Sequence, residues 1–310
     1  MSAVLQTASR AETGTETASY LAALGTAWPD HAATVQRTVG ASPELDRTRE
    51  SVASFIRNVA GIEPAALVGD YRFTCDALHE EEVHFLRHGT YRLQGRAGEA
   101  AHHYADDAFM SRYMAGLLAS HLFWWNHTSV IRDFDTEYLP RLPSGTRHLE
   151  IGPGHGLLFR HAATAPAVAS LEAWDLSATS LESTRKAVAG IAKPSVFRLQ
   201  SAADGTVGAA FDSVTVSEVL EHVDDPAAVL SAIRATLAPG GRAFINVPVN
   251  SPAPDHVFLF ARPDACTELV RRCGFSVEWS AAYPMNQYSL TKAARLRATV
   301  SCVLLARRED

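Results

Sequence analysis

Hydrophobic residues follow two different spacings in the two halves of the chain. Over residues 20–142 they recur three or four positions apart, as at Met110, Met114 and Leu117, which is the spacing of one buried helix face. Beyond position 145, short apolar runs bounded by Gly, Pro or Asp alternate with helical spacing. The second pattern predicts a parallel sheet with helices on both faces, preceded by a mostly helical region.

Start and stop signals set the limits of the predicted helices in the first half. Ser42 and Pro43 suit the start of a helix, and Gly89 is placed to end one. A third and longer element leads directly into the second half. The three predicted helices cover residues 42–59, 76–87 and 106 or 107 to 139.

The second half contains seven predicted strands, of which the last two are expected to pair antiparallel. The connection 280–297 between these two is long enough to carry substrate contacts. The predicted strands are 148–151, 169–174, 195–199, 211–216, 242–247, 275–279 and 298–306, and the predicted helices between them are 177–191, 225–237 and 263–273.

Composition divides the chain into three parts. Residues 1–17 are Ser, Thr, Ala and Glu with little apolar content, so they are predicted to form a disordered tail. Residues 18–143 form a helical cap domain, and residues 144–310 form the α/β domain. Pro140, Pro143 and Gly145 mark the boundary, because they stop a helix just before the first strand begins.

Composition and net charge restrict the classes of molecule that the chain is expected to bind. Hydrophobic residues make up 47% of the 310 positions, the net charge is -6 and no run of Lys or Arg occurs, so we expect no nucleic-acid partner. The four cysteines show no C-x-x-C pairing, and no apolar run is long enough to span a membrane. The sequence therefore predicts a cytoplasmic protein with reduced thiols and no membrane association.

A glycine-rich turn follows the first predicted strand. Glu150 precedes Gly152, Gly154 and Gly156 in the pattern E-x-G-x-G-x-G. The dinucleotide fingerprint G-x-G-x-x-G needs a further glycine where this chain has Leu157. An acid before the first glycine would repel a pyrophosphate and attract a cationic amino-acid moiety. The turn therefore indicates a cofactor other than a dinucleotide.

Three further segments follow the turn in order. Asp175 ends the second predicted strand nineteen residues after Gly156, where an acid can bind both hydroxyls of a ribose. Residues 211–223 read FDSVTVSEVLEHV and residues 237–241 read LAPGG. Together with the turn, these segments resemble the motifs of the class I methyltransferases that use S-adenosylmethionine, especially the branch containing ubiquinone-type O-methyltransferases.

The resemblance implies a Rossmann-like α/β fold with a seven-stranded, mostly parallel sheet whose last strand is antiparallel. It implies S-adenosyl-L-methionine as cofactor and S-adenosyl-L-homocysteine as product, bound at the carboxyl ends of strands one, two and four. The adenine is assigned to the step after strand three. The implied cofactor-binding residues are Glu150, Gly152, Gly154, Gly156, Asp175, Leu176, Ser201, Ala202, Ser217 and Glu218.

Two clusters of acids and histidines raise the question of a metal. Glu218, Glu221 and His222 form E-x-x-E-H, and on one helical turn such side chains can converge. The letters resemble the magnesium site of small-RNA 3′-end 2′-O-methyltransferases, with His256 as a fourth ligand. The acidic net charge argues against RNA, so we expect no metal and assign Glu218 to the cofactor or pocket. The second cluster, residues 79–88, is interpreted as a solvated helix face.

Methyl transfer needs alignment of the reacting atoms and a base when the acceptor carries a proton. Asn126 and His127, on the helix that leads into the glycine turn, are the first candidates for the catalytic residues, and His256 after strand five is the second. Histidine suits this role because its pKa lies near neutrality. Each imidazole could instead bond a backbone group. Residues 123–125, Phe-Trp-Trp, either stack an aromatic substrate or attach the cap to the sheet.

The predicted function is S-adenosylmethionine-dependent methyl transfer to oxygen, nitrogen or aromatic carbon of a small organic acceptor. A cap of this length suits an enclosed site. By analogy, an Ala-rich, Arg-over-Lys composition suggests specialised metabolite or antibiotic biosynthesis. The alternatives are a metal-assisted RNA 2′-O-methyltransferase and a cofactor-binding protein that does not methylate. The apolar faces of the cap helices make a homodimer an expectation.

Overall fold

The structure is a computed structural model that describes residues 14–100, 107–202 and 210–309. The helices that precede the sheet are α1 Thr15–Ala27, α2 Pro29–Gly40, α3 Asp46–Asn58, α4 Pro64–His88, α5 Ala97–Ala100, α6 Asp107–Phe123 and α7 Trp125–Asp133. The strands are β1 Thr146–Ile151, β2 Val168–Asp175, β3 Ser195–Leu199, β4 Phe211–Ser217, β5 Leu237–Val249, β6 Phe275–Pro284 and β7 Val300–Arg308. The remaining helices are α8 Leu157–Thr164, α9 Ala178–Ala187, α10 Pro226–Thr236, α11 Pro263–Arg272 and α12 Leu290–Leu296.

The prediction that residues 1–17 form a disordered tail is wrong for residues 15–17, which are helical. Residues 1–13 lie outside the described part of the chain, but α1 begins at Thr15. The backbone N–H and the hydroxyl of Thr17 both donate to Glu50 Oε2, at 3.0 and 2.8 Å. A carboxylate on α3 therefore orders this segment, and composition alone does not reveal such a distant partner.

The long element predicted from residue 106 or 107 to 139 is also divided. Trp124 has extended backbone angles, with φ -100° and ψ 122°, and separates α6 from α7. Its indole Nε1 donates to the hydroxyl of Tyr71 on α4 at 2.6 Å. After α7 the chain continues as a π-helical turn, Phe134–Tyr138, and a short 3-10 turn, Leu139–Arg141. The apolar spacing continues across the break, so the sequence pattern does not show it.

The strands form one sheet in the order β3-β2-β1-β4-β5-β7-β6. β7 runs antiparallel to both of its neighbours, β5 and β6, and the other four pairs are parallel. The seven-stranded, mostly parallel sheet predicted from the sequence is confirmed. The strand order reverses between β1 and β4, which places a crevice at the carboxyl ends of these two strands.

The cap helices and one face of the sheet share a single buried cluster. Tyr20 and Leu67 from the cap belong to the same group of buried side chains as Phe244 and Leu305 from the sheet. Tyr138, just before β1, hydrogen-bonds Ser213 Oγ at 2.6 Å and is fully buried. The cap therefore forms part of the core that supports the sheet.

The connection from β6 to β7 contains more structure than expected. β6 continues to Pro284, and α12 takes up about half of the remainder. Ser289 caps α12 by accepting a hydrogen bond from Lys292 N at 3.2 Å.

In the described ranges, no helix combines the length and apolar character that crossing a bilayer requires.

Candidate functional site at the strand ends

The glycine turn after β1 lies at the reversal in strand order. Gly152, Gly154 and Gly156 have φ values of 67°, 54° and 79°, which side chains with a Cβ rarely adopt. A Cβ at Gly156 would lie 2.8 Å from Thr184 Cα and 2.8 Å from Ala187 Cβ. A Cβ at Gly152 would lie 2.5 Å from a methyl group of Val219. Two of the three glycines therefore allow protein elements to pack closely against the turn.

Glu150 is a buried acid directly before the turn. Its side chain is 3% exposed, and its Oε2 atom is buried without a hydrogen-bond partner among the described residues. Burial raises the pKa of this carboxyl well above its usual range, and the charge of Asp175 adds to the effect. A buried acceptor without a partner is costly in a folded protein. The position suits an ammonium group that would donate to this oxygen.

Asp175 lies at the carboxyl end of β2 and is half-buried. One carboxylate oxygen, Oδ1, accepts a hydrogen bond from the backbone N–H of Ser177 at 2.8 Å. Burial raises its pKa, and backbone N–H groups, including that of Gly154, counteract this increase. Leu176 is 76% exposed beside it. The acid and the apolar side chain thus lie together at the carboxyl end of β2.

The segments after β3 and β4 complete this edge. Ser201 and Ala202 are half-buried, and the next described residue is Ala210. Ser217 and Glu218 are held by Asn246 of β5, whose Nδ2 donates to Ser217 Oγ at 3.0 Å and to Glu218 Oε1 at 2.8 Å. Burial raises the pKa of Glu218 to about 7. Its backbone φ is 53°, so this residue leaves the strand in a left-handed conformation.

The cap covers the glycine turn from outside. A Cβ at Gly154 would lie 3.2 Å from the methyl carbon of Met114 on α6. His155 packs edge-on against His121 of α6, with ring centroids 5.2 Å apart. Burial lowers the pKa of His121 to about 4 and that of His155 to about 3. Both rings are therefore neutral at physiological pH, and the cover over the turn carries no positive charge from them.

The letters E-x-x-E-H do not lie on one helical turn. Glu218 is in the left-handed conformation at the end of β4, whereas Glu221 and His222 belong to a 3-10 turn, Leu220–His222. His256, from the loop after β5, joins Glu221 and His222 so that one ligand atom from each lies within 4.8 Å of the others. The side chains that lie together are therefore Glu221, His222 and His256, and Glu218 is not one of them.

The two residues predicted on α7 have different surroundings. Asn126 is 2% exposed and donates from Nδ2 to Ser301 Oγ at 3.0 Å. His127 Nδ1 lies 2.7 Å from Ser120 Oγ, whose own hydroxyl donates to the carbonyl of Leu117 at 2.6 Å. Since that proton is already used, His127 Nδ1 must be the donor and its Nε2 carries the lone pair. This tautomer leaves the lone pair on Nε2, but burial lowers the pKa of His127 well below the near-neutral value on which its selection from the sequence was based.

A cavity of about 500 Å³ lies between the cap and the ends of β5 and β7. This volume is in the range that holds small-molecule ligands. Its aromatic lining consists of Trp28, Phe85, Phe123, Trp124 and Trp125, and its polar lining includes His31, Asn126, Asn250 and Thr299. Within the Phe-Trp-Trp segment, Trp125 attaches the cap to the sheet by packing against Tyr283 of β6, and Trp124 bonds Tyr71 inside the cap.

One part of this lining was not predicted from the sequence. His31 on α2 stacks on Trp28 with centroids 4.1 Å apart, and its Nε2 lies 2.8 Å from the hydroxyl of Tyr71. Burial lowers its pKa. No sequence motif surrounds His31, and only the fold of the cap brings it to the cavity.

A family model described as a methyltransferase domain matches residues 123–289, which is more than half of the chain. The chain belongs to this methyltransferase family. The match begins at Phe123 and includes the glycine turn and the ends of β2 and β4. The cap helices α1 to α5 and nearly all of α6 lie outside the match, so the family model contains the cofactor side of the site and omits most of the cap wall of the cavity.

Individual methyltransferase relatives match part of the chain. The ubiquinone biosynthesis O-methyltransferase of Xanthomonas axonopodis pv. citri (strain 306) is 34% identical over 113 residues, which are 36% of this chain and 46% of that protein. The ubiquinone biosynthesis O-methyltransferase of Thiobacillus denitrificans (strain ATCC 25259 / T1) is 29% identical over 190 residues, 54% of this chain and 80% of that protein. The chain thus spans about half the length of the Xanthomonas relative.

Solved methyltransferase-fold structures superpose only loosely. The cyclopropane synthase MmaA2 from Mycobacterium tuberculosis has 13% identity and a TM-score of 0.47, covering 58% of this chain and 83% of that one. The [4+2]-cyclase SpnF has 16% identity and a TM-score of 0.46, covering 54% of this chain and 76% of that one. The fold is assigned from the strand order β3-β2-β1-β4-β5-β7-β6.

Proposed function

We propose that this chain transfers the methyl group of S-adenosylmethionine to a small organic acceptor. The observation that carries the proposal is the buried Glu150 carboxylate, whose Oε2 lacks a partner beside a glycine turn at the reversal in strand order. An amino-acid ammonium group would supply the missing donor, and a pyrophosphate would be repelled. Membership of the methyltransferase family supports the same cofactor.

The predicted cofactor residues fit this group. Asp175, at the end of β2, would accept hydrogen bonds from the ribose hydroxyls. The exposed apolar side chain of Leu176 would cover the nucleoside, and Ser201 and Ala202 would border the adenine. Ser217 and Glu218, held by Asn246, would lie on the β4 side. When bound, the cofactor supplies an activated methyl group on a sulfonium.

The acceptor is proposed to occupy the cavity between the cap and the sheet. Its aromatic lining favours a planar, largely apolar molecule, because stacking adds to the burial of apolar surface. Asn126 and Asn250 offer amide groups that would orient a polar substituent. A volume of about 500 Å³ suits a small molecule. A role in specialised metabolite biosynthesis and a homodimeric assembly are part of this proposal.

Cofactor recognition is tested by calorimetric titration with S-adenosylhomocysteine. Asp175→Asn and Glu150→Gln should each weaken binding by about 10- to 100-fold, because each removes a charge-assisted hydrogen bond worth roughly 1.5–3 kcal/mol. Asp212→Asn is the matched control, since Asp212 pairs with Arg147 at the opposite end of the sheet. Binding of NADH in preference to S-adenosylhomocysteine, or equal affinity in all variants, would refute the proposal.

His127 is the proposed base, acting through Nε2. Acceptors are found by measuring release of S-adenosylhomocysteine from S-adenosylmethionine over a panel of aromatic alcohols, acids and amines. With such an acceptor, His127→Gln should lower kcat by roughly 10²- to 10⁴-fold and leave cofactor affinity unchanged. Ser120→Ala removes the group that fixes the tautomer and should lower kcat less. If His31→Gln or His256→Gln alone reduces kcat, the base is that residue.

A further inference from the structure

We infer that His31 determines which acceptors bind, by donating a hydrogen bond from Nδ1 to a carbonyl or carboxylate oxygen of the acceptor. The inference rests on the proposed function, since it takes the acceptor to occupy the cavity between the cap and the sheet. His31 belongs to α2 and lines this cavity. It is half-buried and lies outside the part of the chain that the methyltransferase family model matches.

Trp28 and Tyr71 fix the position of the His31 ring. The imidazole stacks on Trp28, with the ring planes 18° apart and the centroids 4.1 Å apart. Its Nε2 lies 2.8 Å from the hydroxyl oxygen of Tyr71, a fully buried residue of α4. The imidazole is therefore held at one face and at one nitrogen before any ligand binds, and this preorganisation favours binding.

The hydrogen bonds of Tyr71 determine which nitrogen of His31 carries a proton. The indole Nε1 of Trp124 can only donate, so the Tyr71 oxygen accepts its hydrogen bond at 2.6 Å. The proton of the buried Tyr71 hydroxyl then needs an acceptor of its own. The thiol of Cys75 lies beside this hydroxyl, but sulfur accepts only weakly, so His31 Nε2 accepts the hydrogen bond. The neutral His31 ring therefore carries its proton on Nδ1.

The N–H group at His31 Nδ1 is available to a ligand. This nitrogen makes no hydrogen bond to any residue in the described ranges. Other polar groups of the lining already donate to the protein, since Asn250 Nδ2 donates to the carbonyl of Ala261 at 3.3 Å and the Thr299 hydroxyl donates to the carbonyl of Asn250 at 3.1 Å. An acceptor in the cavity therefore meets an unused donor beside aromatic surface. The complementary group is an oxygen that only accepts, as in an aromatic carbonyl compound or carboxylate.

This arrangement makes His31 a donor to the acceptor and not the base of the reaction. Its Nε2 lone pair already accepts from Tyr71, so His31 could take a proton from the acceptor only by losing that hydrogen bond. Removing the Nδ1 donor should therefore raise KM by about tenfold and leave kcat unchanged, because one hydrogen bond to the bound acceptor is lost. A change in kcat alone would contradict this role.

Quenching of tryptophan fluorescence measures occupancy of the cavity without turnover, because Trp28, Trp124 and Trp125 line it. The probes are 4-hydroxybenzamide and 4-hydroxybenzoate, which carry the accepting oxygen, and p-cresol, which lacks it. The wild type should bind at least one of the first two about tenfold more tightly than p-cresol, as expected for one additional hydrogen bond. Equal binding of the three probes, or no binding of any, would overturn the inference.

Two variants separate hydrogen bonding to the ligand from support of the cap. In His31→Gln the amide replaces Nε2 beside Tyr71 and no donor remains at the Nδ1 position, so the preference over p-cresol should disappear while p-cresol binds as before. In His31→Asn the amide replaces Nδ1, so the preference should persist, although the melting temperature falls because Tyr71 loses its acceptor. If both variants weaken all three probes by the same factor, His31 only supports the cap and the inference is wrong.

NMR of the histidine ring nitrogens tests the tautomer in the wild type, and this measurement decides the matter if a variant fails to fold. Protonation of His31 at Nε2 would overturn the inference. His88→Gln, an exposed position at the end of α4 outside the cavity lining, is the matched control and should bind the probes as the wild type does. Probe selectivity without binding of S-adenosylhomocysteine would refute the proposed function alone. Cofactor binding without probe selectivity would refute the role of His31 alone.

Discussion

Gly156 at the end of the glycine turn offers a quantitative test of how the turn is built. Gly156→Ala introduces two separate costs. The first is the left-handed backbone at φ 79°, which costs about 1–2 kcal/mol for a residue with a Cβ. The second is the contact of the new Cβ with Thr184 Cα and Ala187 Cβ, each at 2.8 Å. Such overpacking costs about 1–3 kcal/mol, because a helix must shift to relieve it.

Gly190, just after α9, separates the two costs. Its φ is 83° and a Cβ there would meet nothing within 4 Å. Gly190→Ala should therefore lower the free energy of unfolding by the backbone cost alone, about 1–2 kcal/mol. Gly156→Ala should lower it by about 2–5 kcal/mol, the sum of the two costs. The difference in the free energy of unfolding between the two variants then gives the cost of the new Cβ pressing on α9.

Urea denaturation followed by tryptophan fluorescence and by circular dichroism measures both variants. Coincidence of the two probes is needed before free energies are compared. Because α9 follows Asp175 directly, a shift of this helix should also weaken S-adenosylhomocysteine binding in Gly156→Ala and leave it unchanged in Gly190→Ala. Equal destabilisation of the two variants would show that α9 does not press on the turn, and the packing described here would be wrong.

Two further predictions concern the buried polar groups beneath the cap. Tyr138→Phe should lower the free energy of unfolding by about 1–3 kcal/mol in the same urea assay, because Ser213 Oγ and two backbone carbonyls lose the phenol hydroxyl; an unchanged midpoint would contradict this. His121 and His155 have folded-state pKa values lowered to about 4 and about 3. Above pH 6.5 both rings are neutral in the folded and the unfolded state, and as the pH falls from 6.5 toward 4 and 3 the unfolded state binds protons that the folded state does not, so stability is lost. The melting temperature should drop over that range, and less steeply in His155→Gln; parallel curves would refute the assignment.

The sequence predicted the sheet well because each strand carries its own local signals. β3 was predicted at 195–199, with the bounds that the structure gives, since Pro194 precedes it and a polar step follows. The break at Trp124 was missed because its cause is a hydrogen bond to Tyr71, 53 residues earlier. Apolar periodicity reports which face of a segment is buried. It contains no information about a distant residue that interrupts the helix.

The same distinction applies to the candidate site. Glu150 and Asp175 could be predicted because their positions follow from strand ends and glycine spacing. The grouping of Glu221 with His256 depends on a left-handed residue at Glu218 and on the path of the loop after β5. His31 reaches the cavity because α2 packs in the cap. Both features are determined by tertiary structure, and adjacent letters do not encode them.

The shared core of cap and sheet limits how an acceptor can reach the cavity. Opening the cap as a rigid body would expose the buried cluster that contains Tyr20, Leu67 and Phe244, at roughly 1.5–3 kcal/mol for each large side chain. The cavity already has a polar side, where Asp76 and Arg297 are exposed. We therefore expect the acceptor to enter past Asp76 and Arg297 while the cap stays closed. The charge of the acceptor would then influence how fast it enters, and the aromatic lining would select for its shape afterwards.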